Sequence, residues 1–350
     1  MKQWLKEVAR GKRGSKDLSY DETREAAASI LSGEATDAQT AGYFIAQRMK
    51  TESADEMLAL VHELQQSSMP IDIKESVRST MLDVAGPYNG RKSFLATIPV
   101  SLLLAERGIP VHMHSSDSLP PKYGTTIKEV VAALGIPVDQ TDQQIASSIE
   151  QLQVGFSWTE RFCPPLHRLR ELREQLHVRT MLNTAEKLLN LGNASSLMMG
   201  AYHRTAINKI TPLFSGLSYD KVYIVQGVEG SEDLPVHRNS FVFKLTEDKV
   251  EDWVVKPKDY GLLCEAFDKD RKLSVEEQCD IIEALLQGHQ EEPYTYYYNQ
   301  VLWNAGLRYY LFNHAESMEE GIAIAKEQLA EKRGYEQLKK WIRHSGTDEI

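Results

Sequence analysis

Thr80-Met-Leu-Asp83-Val-Ala85-Gly86-Pro87-Tyr88-Asn89-Gly90-Arg91-Lys92-Ser93 is the stretch on which the fold turns. Its first six residues are mostly apolar, as a short buried strand requires. Gly, Pro and Asn then punctuate a turn, and Phe94 to Arg107 continues as an apolar helical run. Ile109 to His114 reads as a second strand. Strand, helix and strand at this spacing predict a parallel βαβ unit. Further strands are expected at Val222 to Gln226, Ser240 to Leu245 and Trp253 to Val255, with helices closing the chain.

Upstream, residues 1–70 read as several short helices. Ser19 with Glu22, Thr36 with Gln39, and Ser53 with Glu56 fit the capping box, in which a hydroxyl and a Glu or Gln side chain satisfy free backbone N–H groups reciprocally. Met57, Leu58, Leu60, Val61 and Leu64 form one apolar stripe. Gly33 is a natural helix stop. Boxes recur at Ser274/Glu277 and Ser317/Glu320. The fold class is α/β with a helical N-terminal domain.

The formal charge of -10 argues against a general nucleic-acid binder; that role needs a local basic face. Cys163, Cys264 and Cys279 are widely spaced and form no CxxC pair, so buried or free thiols in a reducing compartment are expected. Met1 to Gly14 is charged throughout and shows no export signal, and Ile98 to Ala105 is too short to span a bilayer. The expectation is a cytoplasmic protein with no membrane association.

Four segments can carry chemistry. Asp83 to Ser93 links a strand to a helix, where backbone N–H groups and the helix N-terminus favour phosphate, although Pro87 donates nothing and Tyr88 adds bulk. An ordinary turn is the alternative. His112-Met-His114-Ser115-Ser116-Asp117 ends the second strand, and its two histidines share one face; a half-exposed strand is expected there, a metal pair being the alternative. Phe162 to Thr180 reads as a helix after Pro165, with Arg170 and Arg173 three apart and suited to carboxylates or phosphates. Neutralisation by Glu171 and Glu174 is the competing account. Gln226 to Asp233 is a Gly-rich turn ending in adjacent acids, a pattern for Mg²⁺ or for a plain surface loop.

Together with Leu18-Ser-Tyr-Asp-Glu, Ile30-Leu-Ser-Gly-Glu-Ala-Thr-Asp-Ala-Gln39, Leu302-Trp-Asn304-Ala305 and Glu320-Gly321-Ile-Ala-Ile-Ala325, these segments resemble anthranilate phosphoribosyltransferase over nearly the whole chain. The resemblance implies a helical N-terminal domain at 1–73, with residues about 163–190 packing on it, and an α/β domain at 74–350 with a mainly parallel central sheet, as in the nucleoside phosphorylases. It implies phosphoribosyl pyrophosphate held by Gly86, Asn89, Gly90, Ser93, Thr97 and His114. It implies Mg²⁺ on Glu232 and Asp233 (in swapped order), and an acceptor near Arg173. Arg179, Thr180 and Asn183 match the segment that follows. A homodimer through the N-terminal helices is also implied.

The departures are specific. The family's Gly-Thr-Gly-Gly-Asp is replaced by Gly86-Pro87-Tyr88-Asn89, one residue shorter. Met113, Ser115, Ser116 and Asp117 replace the Lys, Gly, Asn and Arg around the histidine, and an aspartate opposes pyrophosphate. Pro-Tyr-Asn-Gly and Phe-Cys-Pro-Pro-Leu resemble a divergent group of paralogues associated with nucleic-acid binding between dimer subunits. The function expected is a protein with a degenerate phosphoribosyl pyrophosphate site that binds a phosphorylated small molecule or nucleic acid. In the latter case Arg10, Lys12, Arg13, Arg91, Lys92, Arg168, Arg170 and Arg173 form the basic stripe. The alternatives are an active Mg²⁺-dependent pentosyl or phosphoribosyl transferase with an altered acceptor, and a non-catalytic dimeric interaction protein.

Overall fold

The computed structural model describes residues 1–11, 13–201, 211–246, 249–266 and 271–346. Its centre is one seven-stranded sheet: β1 Leu82–Ala85, β2 Val111–Ser115, β3 Val154–Trp158, β4 Ser196–Gly200, β5 Lys221–Val225, β6 Ser240–Leu245 and β7 Val250–Val255. The spatial order is β3-β2-β1-β4-β5-β6-β7. The five strands from β3 to β5 are parallel, and β6 and β7 pair antiparallel at one edge. β1, β2 and β4 are buried throughout, as a parallel sheet covered on both faces requires. The predicted strands are found. β3 and β4 were not expected, because Gly155, Met198 and Met199 give them little of the β-branched character that marks a strand.

Helices Thr97–Glu106, Thr295–Leu311, Met318–Ala330 and Arg333–Ser345 enclose one core against Val84, Met113, Met198 and Tyr223. The second core takes the other sheet face, through Leu197, Met199, Val222 and Ile224. It joins them to the N-terminal helices and to Phe162, Leu166, Met181, Leu182 and Leu188. The helical layer is therefore welded to one face of the sheet by the 162–191 segment. Ser19, Thr36, Ser53 and Ser274 all form complete capping boxes. At Ser317 only half forms: its hydroxyl accepts from Glu320, whose carboxylate instead accepts from the Glu316 N–H at 2.6 Å. The helix expected after Pro165 is broken in two, Pro164–Arg168 and Arg170–Leu176, at Leu169. No helix of the described residues is long and apolar enough to cross a membrane.

The chain runs from β1 outward to β2 and β3, then returns to lay β4 on the opposite side of β1. The order therefore reverses at β1 and β4, and the carboxyl ends of these strands open the crevice where α/β sheets bind ligands.

Candidate functional site: a self-filled anion cradle at the switch point

The turn after β1 is held by its backbone. Gly90 N–H donates to the Pro87 carbonyl at 2.8 Å, and Arg91 exchanges hydrogen bonds with Thr125. Gly90 has φ +64°, and a Cβ there would lie 2.1 Å from the Gly124 carbonyl oxygen, so this position requires glycine. Gly86 lies beside Ile127 and Glu232.

The amides beyond the turn converge on protein carboxylates. Lys92 N–H and Ser93 N–H both donate to Glu229 Oε1, at 2.9 and 2.8 Å. Lys122 Nζ lies 2.6 Å from Glu229 Oε2. Burial alone would raise the Glu229 carboxyl, but Lys122 and Ser93 outweigh it and hold it below the usual range. The helix Thr97–Glu106 has no side-chain cap of its own. Instead Thr97 N–H donates to Asp233 Oδ2 at 2.9 Å, Thr97 Oγ1 donates to Glu232, and Leu95 N–H donates to Gln278 at 3.0 Å. A helix N-terminus attracts anions, and here the chain supplies its own.

Asp233 is fully buried and paired with Arg91, itself fully buried, and with Arg308 at 3.2 Å. Burial opposes its ionisation, but Arg91 and Arg308 prevail and hold the carboxyl below its ordinary value. Glu232 is equally buried, and its Oε2 has no partner among the described residues. No group of three His, Cys, Asp or Glu side chains suited to a metal ion occurs among the described residues.

The histidines are not on a half-exposed strand. His112 and His114 are both buried, and both face Asp83, at 3.3 and 3.5 Å. β2 is an inner strand between β1 and β3, which is why neither ring reaches solvent. Burial lowers His112 against the pull of Asp83. Burial likewise works against Asp83, but His114 and His112 hold its carboxyl well below the usual range. The Tyr88 hydroxyl points inward to His114 Nδ1 at 2.5 Å and to Thr159 Oγ1 at 2.6 Å, so the ring that breaks the glycine pattern is anchored behind the turn.

The basic residues separate. Arg170 pairs with Glu160 at 2.6 Å, and Arg173 is buried against Glu186 at 2.6 Å. Glu174 is a weaker partner of Arg170 at 3.4 Å, so the nearest acids come from elsewhere in the fold rather than from the same helix. Asp117 is paired with Lys128 at 2.6 Å, and Arg10 with Glu7. Arg13 and Arg168 are exposed and Lys92 half-buried, whereas Lys12 lies outside the described residues.

Between the helical layer and the strand ends is a cavity of 320 Å³ lined by Arg48, Tyr88, Asn89, Arg179, Lys187 and Glu229, among others. Asn183 and Thr180 also line it, with Thr180 N–H donating to Asn183 Oδ1 at 2.9 Å. Arg48 belongs to an Arg48-Met-Lys50 stretch that carries the family resemblance, with no site role read from it, and Lys187 is not singled out by sequence. The signal for Lys187 is a Glu186-Lys187 pair between the apolar residues Met181, Leu182 and Ala185 and the apolar residues Leu188, Leu189 and Leu191.

Residues 2–68 match the helical bundle domain of the glycosyl transferase family, and residues 81–333 its a/b domain. The anthranilate phosphoribosyltransferase of Persephonella marina is 26% identical over 346 residues, covering 99% of each chain. That of Nitrosomonas europaea is 27% identical over 315 residues, 90% of each. In structure, the Thermus thermophilus enzyme superposes with a TM-score of 0.82 at 22% identity, covering 98% of this chain and 99% of that one. The Saccharomyces cerevisiae enzyme in complex with PRPP and Mg gives 0.83 at 16% identity, covering 98% and 97%. At these identities the structural likeness is one of fold.

Proposed function

We propose, from the premise that this chain belongs to the glycosyl transferase family, that it binds a phosphorylated small molecule in its interdomain cleft and does not seat a Mg²⁺-diphosphate at the turn after β1. The observation that carries this reading is the Glu229 carboxylate on the Lys92 and Ser93 amides, locked from the other side by Lys122. Charge-assisted hydrogen bonds of this kind are the strong ones. A diphosphate has to displace all of them and then lie beside the displaced carboxylate.

Of the two residues that match the family's metal pair, Glu232 keeps one carboxylate oxygen without a partner among the described residues, but Asp233 does not fit a divalent cation. Mg²⁺ seeks an oxygen shell, whereas Asp233 already has two guanidinium neighbours, Arg91 and Arg308. We therefore do not extend to this chain the phosphoribosyl transfer for which the relatives are named. A small ligand is favoured over nucleic acid because Arg91, Arg170 and Arg173 are spent on Asp233, Glu160 and Glu186. Among the described residues, the basic side chains that line the cavity are Arg48, Arg179 and Lys187.

Calorimetry tests the reading. Ribose 5-phosphate is expected to give binding heat, and phosphoribosyl pyrophosphate with Mg²⁺ none at millimolar concentration. Glu229→Gln is expected to strengthen inorganic pyrophosphate binding by about tenfold, since removing a like charge from a desolvated site is worth roughly one factor of ten or more. Wild-type protein that binds the Mg²⁺-diphosphate tightly refutes it.

A further inference from the structure

Lys187 is a buried lysine with no hydrogen bond or ion pair among the described residues. It is 8% exposed and lines the cavity between the two layers. Its neighbour Glu186 is committed to Arg173 at 2.6 Å, and Glu232 accepts from Thr97. A lysine this deep is normally paired. One left free at the wall of a cavity is held there at a cost that a ligand can recover.

Its surroundings define the ligand. The Asn89 amide (3% exposed) and the Thr180 hydroxyl (8% exposed) line the same cavity and lack partners among the described residues. Arg179 is exposed, with its guanidinium unpaired among the described residues, and Arg48 lies beside it, donating to its carbonyl. Cations with open valences suit a phosphate. The volume of 320 Å³ fits a small molecule. Burial depresses the Lys187 ammonium, with Glu232 and Glu186 opposing and Arg179 and Lys122 reinforcing the effect. The free amine is the nucleophilic form.

We propose that Lys187 captures the carbonyl group of a small phosphorylated aldehyde or ketone as an imine, with Arg48 and Arg179 holding the phosphate. The amine lone pair forms the C–N bond. The carbonyl oxygen gains the two amine hydrogens and leaves as water. No oxidant or reductant enters the step. The inference rests on the phosphorylated-ligand reading above and adds a reactive carbonyl to it.

The experiment uses the full chain with pyridoxal 5′-phosphate as probe, trapped by borohydride and mapped by peptide mass spectrometry. Lys187 is expected to carry at least ten times the label of any exposed lysine at substoichiometric probe, and ribose 5-phosphate is expected to suppress that label. Lys187→Arg, which keeps the charge, is expected to lose it. Mapping on the wild-type chain makes the result independent of how that variant folds. Label spread over surface lysines without enrichment at Lys187 overturns the inference. Calorimetry of ribose 5-phosphate on the same sample separates the two claims. Binding heat without Lys187 label overturns the imine alone, whereas neither heat nor label overturns the ligand reading as well.

Discussion

Arg91 shows how a residue read one way in sequence is used another way in the fold. Next to Lys92 in a turn, it looks like a phosphate contact. In the structure it is fully buried against Asp233. Removing one member of a buried pair strands the other charge, which costs about 3–5 kcal/mol. Arg308 still faces Asp233, so Arg91→Met is expected at the lower end, about 3 kcal/mol less stable in urea denaturation. Arg168→Met, on the surface, is expected within about 0.5 kcal/mol of wild type. Equal, small losses for both would mean that the Arg91 pair contributes nothing to the folded state.

The turn after β1 is an element whose conformation is set by a second strand of chain. Gly90 and Gly124 meet backbone to backbone, closed by the Gly124 N–H to the Asn89 carbonyl at 2.9 Å. A side chain at Gly90 faces both a positive φ of 64° and that contact. Gly90→Ala is therefore expected to cost about 1–3 kcal/mol or more, lowering the thermal midpoint by several degrees, while Gly108→Ala tests φ alone, since a Cβ there meets nothing within 4 Å. If the two variants melt together, the Gly124 contact is not a constraint. The capping boxes, by contrast, were readable because each involves four consecutive residues. Only the box at Ser317 is altered, by the neighbouring Glu316 N–H.

Across the whole molecule, the sheet carries two buried aspartates near its crevice, Asp83 on β1 and Asp233 after β5. Both carboxyls are held below their ordinary values: burial opposes this, but His114 and His112 prevail at Asp83, and Arg91 and Arg308 at Asp233. A folded pKa below the unfolded value of about 3.9 gives stability that is complete above that pH and is lost as pH falls through the folded value. Denaturant midpoints are accordingly expected to be flat, as far as these groups are concerned, from neutral pH down to about 5, then to fall steeply below about 4. Because these aspartates tie β1 to β2, and the 226–233 loop to two helices, the two cores are expected to unfold together in acid. Unfolding of the N-terminal helices alone would contradict that.

The α/β class, the helical start and most of the strands were decided by local chemistry: apolar runs, Gly and Pro punctuation, and hydroxyl–carboxylate spacing act within a few residues. The departures from the phosphate-binding pattern at Pro87, Tyr88 and Asp117 were equally plain in the chain. The tertiary structure alone decided which charges meet. Glu229 reaches the Lys92 and Ser93 amides 137 and 136 residues away, and Glu186 faces Arg173, leaving Lys187 without an ion pair among the described residues. Charge pairing is set by distance in space and by burial, and neither can be read from the order of residues along the chain.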